Sequence, residues 1–221
     1  MKHLITTIVI ALFLSSCLTT KKMDNIIEEY EGGLTTKLKT SDYITINTPG
    51  LLKTEAASVT AKGKDKVLPL LFYWRFEWSR IPTLNSYIPI ANINSTIIQY
   101  ANTKKLKEKL NGQKIELTIN KVPTTFSLTY RDHLAFFVVY YVQWGRVFID
   151  PQKQDITIGY RILKDNIETK KGAITVADPS KPLDLKFLQS IKKMTGDYLE
   201  LYDNMIKDMS KQFVDKLLLE I

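Results

Sequence analysis

Ile156-Thr157-Ile158-Gly159-Tyr160-Arg161-Ile162 decides the fold class, because apolar residues occupy every second position with polar ones or glycine between them. Strand residues two apart share a face, so this segment buries one face and wets the other. That pattern belongs to antiparallel sheets with one covered side. The same period recurs upstream, where Ile115, Leu117 and Ile119 alternate with Glu116, Thr118 and Asn120. It recurs again where Phe126, Leu128 and Tyr130 alternate with Ser127, Thr129 and Arg131. Downstream, Lys164-Asp165-Asn166 has turn chemistry and leads into a last strand around Ala173 to Val176.

Working toward the N-terminus, Tyr43-Ile44-Thr45-Ile46-Asn47 reads as a first strand ended by Pro49-Gly50. Ala57 to Thr60 begins another, and Lys62-Gly63-Lys64-Asp65 reads as a hairpin. The strand predicted over Leu70 to Arg80 places Phe72, Trp74, Phe76 and Trp78 on one face and Arg75 and Glu77 on the other. Such an aromatic row is either the wall of a packed core or the floor of a groove that binds an apolar ligand. In the meander from Thr125, Arg131-Asp132-His133 is read as a turn. Leu134 to Trp144, apolar on both faces, is read as a central strand broken at Gly145, with a further break at Asp150-Pro151.

Helices frame the strands. Asn94-Ser95 predicts an N-cap for a mid-chain helix ending at Asn111-Gly112. After Pro179-Ser180-Lys181-Pro182, a long helix is predicted over 183–219, with Phe187, Ile191, Met194, Tyr198, Leu201 and Met205 docking on the sheet. Met209, Phe213 and Leu217 continue the stripe with a phase shift, and a partner seam is the alternative to a sheet cover. Met23, Ile26, Ile27 and Tyr30 form a short amphipathic helix stopped by Gly32-Gly33, packed on the domain or facing a membrane or partner. The expected fold is α+β: a mainly antiparallel sheet covered by one mid-chain helix and one long C-terminal helix.

Composition removes most catalytic chemistry. The 221 residues include one Cys and two His, His3 and His133. That excludes a disulfide framework and a zinc site built from the usual His and Cys ligands. Asp132 beside His133 is a poor triad partner, since strand neighbours point to opposite faces. No phosphate-binding glycine loop, nucleophile elbow, calcium loop or zinc helix is present in the sequence. The expectation is a non-enzyme without cofactor. A net charge of +8, spread over pairs such as Lys104-Lys105 and Lys192-Lys193, suits a solvated surface near anionic lipid.

The N-terminus supplies an address. Met1-Lys2-His3 precedes a short apolar run from Leu4 to Phe13, which reads as a secretory signal rather than a membrane span. Leu14-Ser15-Ser16-Cys17 resembles the lipobox of bacterial lipoproteins. The resemblance implies cleavage after residue 16, acylation (palmitate included) at Cys17, and a membrane held through that lipid anchor. The division expected is a signal peptide over 1–16, an acylated tether and short helix over 17–41, and a single α+β domain over 42–221. In element order the domain resembles small periplasmic lipoproteins of the YajG type and the ABC-transport auxiliary lipoproteins. That resemblance implies a non-catalytic accessory or interaction module in envelope maintenance or transport. Its partner would be another envelope protein; nucleic acid is not expected of an exported chain. Lys21-Lys22 after the anchor does not resemble a surface-export signal, which points to the periplasmic side of the outer membrane. The alternative is a lipoprotein that binds a lipid or other apolar ligand on Phe72, Trp74, Phe76 and Trp78.

Overall fold

Period-two alternation becomes burial in the computed structural model, which describes residues 19–34, 37–51, 57–63 and 65–221. The chain is α+β. One sheet has the order β1 (Ile44–Asn47), β5 (Lys114–Ile119), β8 (Ile156–Lys164), β9 (Ile167–Val176). Only the β1–β5 pair is parallel in it. Ile115, Leu117, Ile119, Ile156, Ile158, Tyr160 and Ile162 all point into the core, as their spacing predicts. Asp165 and Asn166, with φ of 51° and 65°, make the two-residue turn between β8 and β9. Short polar side chains tolerate that left-handed region, so the turn is legible in sequence.

The antiparallel strands do not form one sheet but two. The second has the order β10 (Leu183–Asp184), β7 (Tyr141–Pro151), β6 (Phe126–Phe136), β4 (Tyr73–Thr83), with β2 (Val59–Lys62) and β3 (Lys66–Leu70) in succession along the far side of β4. Three sequence expectations change here. At Lys62-Gly63 the chain does not reverse: β2 and β3 pair with the same strand, and the five residues from Lys62 to Lys66 span four from Arg80 to Glu77. This is a bulge, where Gly63 donates to the Ser79 carbonyl at 3.0 Å and a Cβ would lie 1.9 Å from Ser79 Oγ. The reversal comes at Leu71-Phe72, so the strand predicted from Leu70 is divided by a turn. Arg131-Asp132-His133 is likewise no turn but the interior of β6, and Gly145 lies within β7 opposite Asp132. Leu134 to Trp144, expected as a central strand, is the far end of the β6–β7 hairpin.

Helix α1 (Thr20–Gly32) is capped by Thr19, whose hydroxyl accepts from Lys22 N at 3.2 Å. It buries Met23, Ile26 and Ile27 in the core. Helix α2 (Tyr87–Thr103) starts before the predicted cap, and Asn94 lies buried inside it, its amide oxygen accepting from Lys39 N at 2.6 Å. Pro89 is tolerated in the first turn, where its missing N–H has no intrahelical partner. The predicted helix also breaks. An unbroken helix would follow Ile90, Ile97 and Ala101 inward with Lys104 or Lys105; instead Lys105 turns left-handed at φ 56°. That re-phases α3 (Leu106–Leu110) so that both its leucines are buried.

Helix α4 (Ile191–Glu220) begins at Ser190, whose hydroxyl accepts from Lys193 N at 3.1 Å. The expected start at Leu183 is overturned by β10, which pairs with Phe148 and Ile149. Phe187 is correspondingly 92% exposed, and Leu201 is exposed too. The buried stripe runs instead through Met194, Tyr198, Tyr202, Ile206, Met209, Phe213 and Leu217. Helix α4 lies along α2 and meets α1, β9 and β10. One continuous hydrophobic core joins both sheets to α1, α2, α3 and α4.

Candidate binding surface

The second sheet extends past that core as a blade of four strands, β3, β4, β6 and β7. Its base is anchored by Trp78, which stacks on Tyr130 at 5.5 Å between centroids and packs on the core with Val147. Toward the far end, Phe76 is half-buried, Trp74 is 40% exposed, and Phe72 stands exposed in the β3–β4 turn. Trp74, Phe76 and Trp78 share a face, as their spacing predicts. They do not share an environment: the row passes from packed to open along its length. Cys17 lies outside the described residues.

The two hairpin turns meet at the end of the blade, where Phe136 N donates to the Phe72 carbonyl at 2.8 Å. Leu71 is 84% exposed, Val139 88%, and Val138 wholly so. Leu70, Phe137, Tyr140 and Tyr141 are exposed beside them. Phe137 stacks on Tyr140 at 4.6 Å, and Trp74 meets Phe136 edge-on at 5.8 Å. One step back, His133 stacks on Trp144 at 5.1 Å and is hydrogen-bonded through Nδ1 to the Tyr73 hydroxyl. Arg75 lies level with His133, and the other charges of the blade begin behind this layer. Glu77 takes hydrogen bonds from Arg75 and from Arg131, the latter at 2.8 Å, and these two guanidiniums, Arg75 first, hold its carboxyl below the usual range. Arg146 clamps Asp184 with an Nη2–Oδ2 distance of 2.9 Å. The buried Asp132 accepts from Gln143 at 2.6 Å.

Sequence reasoning located Phe72 and Trp74 but missed the second turn, because apolar residues on both faces of a run were read as burial. A signal was present. Val67 to Trp74 and Leu134 to Trp144 are two runs without a single Asp, Glu, Lys or Arg.

Buried carboxylates are the other pointer to a site. Burial raises the Asp203 carboxyl above the usual range, and burial does the same to Glu31. Both are occupied: Asp203 accepts from Tyr30 Oη at 2.9 Å and Asn92 Nδ2 at 3.0 Å, and Glu31 accepts from Ser58 Oγ at 2.6 Å. The cavity beside them holds about 10 Å³, no more than one water. They pin α1 to α2, α4 and Ser58 just before β2. Among the described residues no group of His, Cys, Asp and Glu is placed to hold a metal ion, and no helix is long and apolar enough to cross a membrane. An apolar groove of about 320 Å³ lies between α4 and the loop before β10, lined by Pro179, Pro182, Tyr198, Leu201 and Met205 among others. No protein-family model, curated protein or solved structure matches the chain.

Proposed function

We propose that this chain is an envelope lipoprotein, tethered through acylated Cys17 on the periplasmic face of the outer membrane, that works as a non-catalytic binding module. The observation that carries the reading is the blade end. Isolated exposed apolar residues are ordinary on a protein surface, but a contiguous cluster that includes Leu71, Phe72, Val138, Val139 and Tyr140 marks a surface meant to be covered. The Leu14-Ser15-Ser16-Cys17 resemblance to a lipobox supplies the tether. Two acyl chains suffice for stable attachment at about 0.8 kcal/mol per buried methylene. The test is Cys17→Ala in cells: it should abolish palmitate labelling and release the protein from the membrane fraction. Retention equal to the parent would defeat the tether.

A second reading, binding of an apolar ligand, is favoured by the groove beside α4 rather than by the aromatic row. Its volume is at the lower end for a small-molecule site. Leu201→Glu at its mouth should then abolish binding of a fluorescent fatty acid without changing the fold.

A further inference from the structure

We propose that the end of the blade inserts into the surface of a lipid bilayer, giving the protein a second membrane contact besides its anchor. This deepens the reading above by naming what covers the blade.

The two turns are apolar on both faces of the sheet, not on one. Tyr73 and Val142 face one side at the level where Trp74 and Leu134 face the other. A groove on a folded partner covers one face of a strand pair; a fluid hydrocarbon phase surrounds all of it. Residue order along the blade follows the gradient of a membrane interface. Aliphatic Leu71, Val138 and Val139 come first, Tyr140, Tyr141 and Trp74 stand behind them, Trp144 lies level with Arg75, and Arg131 and Arg146 follow. Tryptophan and tyrosine favour the headgroup level, where their rings are apolar and their N–H or O–H is wet. The net charge of +8 complements an anionic headgroup layer.

Length and edges set the depth. From Leu134 to Val138 the uncharged end measures roughly 13 Å at about 3.3 Å per residue, less than half of a hydrocarbon core about 30 Å thick. The blade therefore does not cross. Its outer strands limit it further, since among the described residues β3 pairs only with β4 and the stretch from Tyr141 to Arg146 of β7 pairs only with β6. Open strand edges carry backbone groups that hydrocarbon cannot satisfy. The turns enter the acyl boundary while the edges stay among headgroups and water.

Three tryptophans make the test direct, because Trp74 and Trp144 lie toward the end and Trp78 at the base. The full chain is mixed with vesicles of phosphatidylcholine and phosphatidylglycerol whose acyl chains carry bromine, a short-range quencher of indole fluorescence. Strong quenching is expected for the parent, and several-fold less for Trp74→Phe/Trp144→Phe, which keeps only Trp78. Val138→Asp/Val139→Asp, at fully exposed turn positions, should remove the quenching and leave the melting temperature unchanged. A parent that sediments with vesicles but is not quenched would overturn the insertion and leave the anchor standing. Conversely, a Cys17→Ala chain that takes up no palmitate yet is quenched supports insertion, whatever holds the protein in cells. If the parent associates in solution through the same residues, and Val138→Asp/Val139→Asp separates it with no quenching in either, a second copy covers the blade and the proposal fails.

Discussion

Asp203 shows how much one residue carries when it leaves water. Placed on α4 and reached by Tyr30 of α1 and Asn92 of α2, it ties three helices through one carboxylate. Because burial raises its folded pKa above the unfolded value, the native chain holds this proton more tightly than the unfolded chain does. The stability so gained is complete below about pH 4 and is lost as pH rises through the folded value. Against Asp203→Asn, which does not titrate, the parent's relative stability should therefore fall as pH rises above about 4 in urea unfolding; a flat or rising difference would show the direction to be wrong. Tyr30→Phe leaves the carboxylate one donor short and should cost about 1–3 kcal/mol at neutral pH. The aromatic row divides by the same logic of surroundings. Trp78→Ala removes a stacked, core-packed ring and should cost roughly 2–4 kcal/mol, whereas the part-exposed Trp74→Ala should cost less than about half of that. Sequence placed both indoles on one face correctly, but the face is a local property. Whether anything lies against it is not.

Among the elements, α1 and α4 were legible because amphipathic spacing fixes which side chains share a face. Met23 and Ile27 are wholly buried, so Ile27→Ala should lower stability by about 2–5 kcal/mol, measured by urea unfolding. Deleting the residues after Pro182 strips the core of Met194, Ile206, Met209, Phe213 and Leu217, and the remainder should aggregate or lose its near-ultraviolet dichroism. Boundaries were less legible. The start of α4 depends on β10 finding a place beside β7, which no residue between Leu183 and Ser190 announces. The break at Lys105 depends on bringing Leu106 under the core, against a local cost of about 1–2 kcal/mol for a left-handed residue. Turns follow the same division: Asp165-Asn166 has the residues its conformation demands, whereas Leu71-Phe72 reverses the chain with no glycine, proline or asparagine.

At the scale of the whole molecule, the fold leaves one sheet only partly covered. Helices α2 and α4 lie on the core, and among the described residues no helix covers the far half of the blade. In water without lipid or detergent the parent should scatter light at concentrations where Val138→Asp/Val139→Asp stays clear, since two carboxylates interrupt the exposed apolar cluster at the end of the blade. Equal scattering from both would place the association elsewhere. What the amino-acid sequence determined by itself is the α+β class, the inward faces of β5 and β8, the two amphipathic helices and the poverty of catalytic groups. Each follows from spacing or composition, which are carried within a few residues of chain. Tertiary structure alone decided that the strands divide into two sheets, that Lys62-Gly63 is a bulge, and that Leu134 to Trp144 faces outward. Apolarity states only that a segment gains by leaving water. Which other element is there to receive it depends on contacts between residues far apart in the chain, and at the end of the blade this chain supplies none among its described residues.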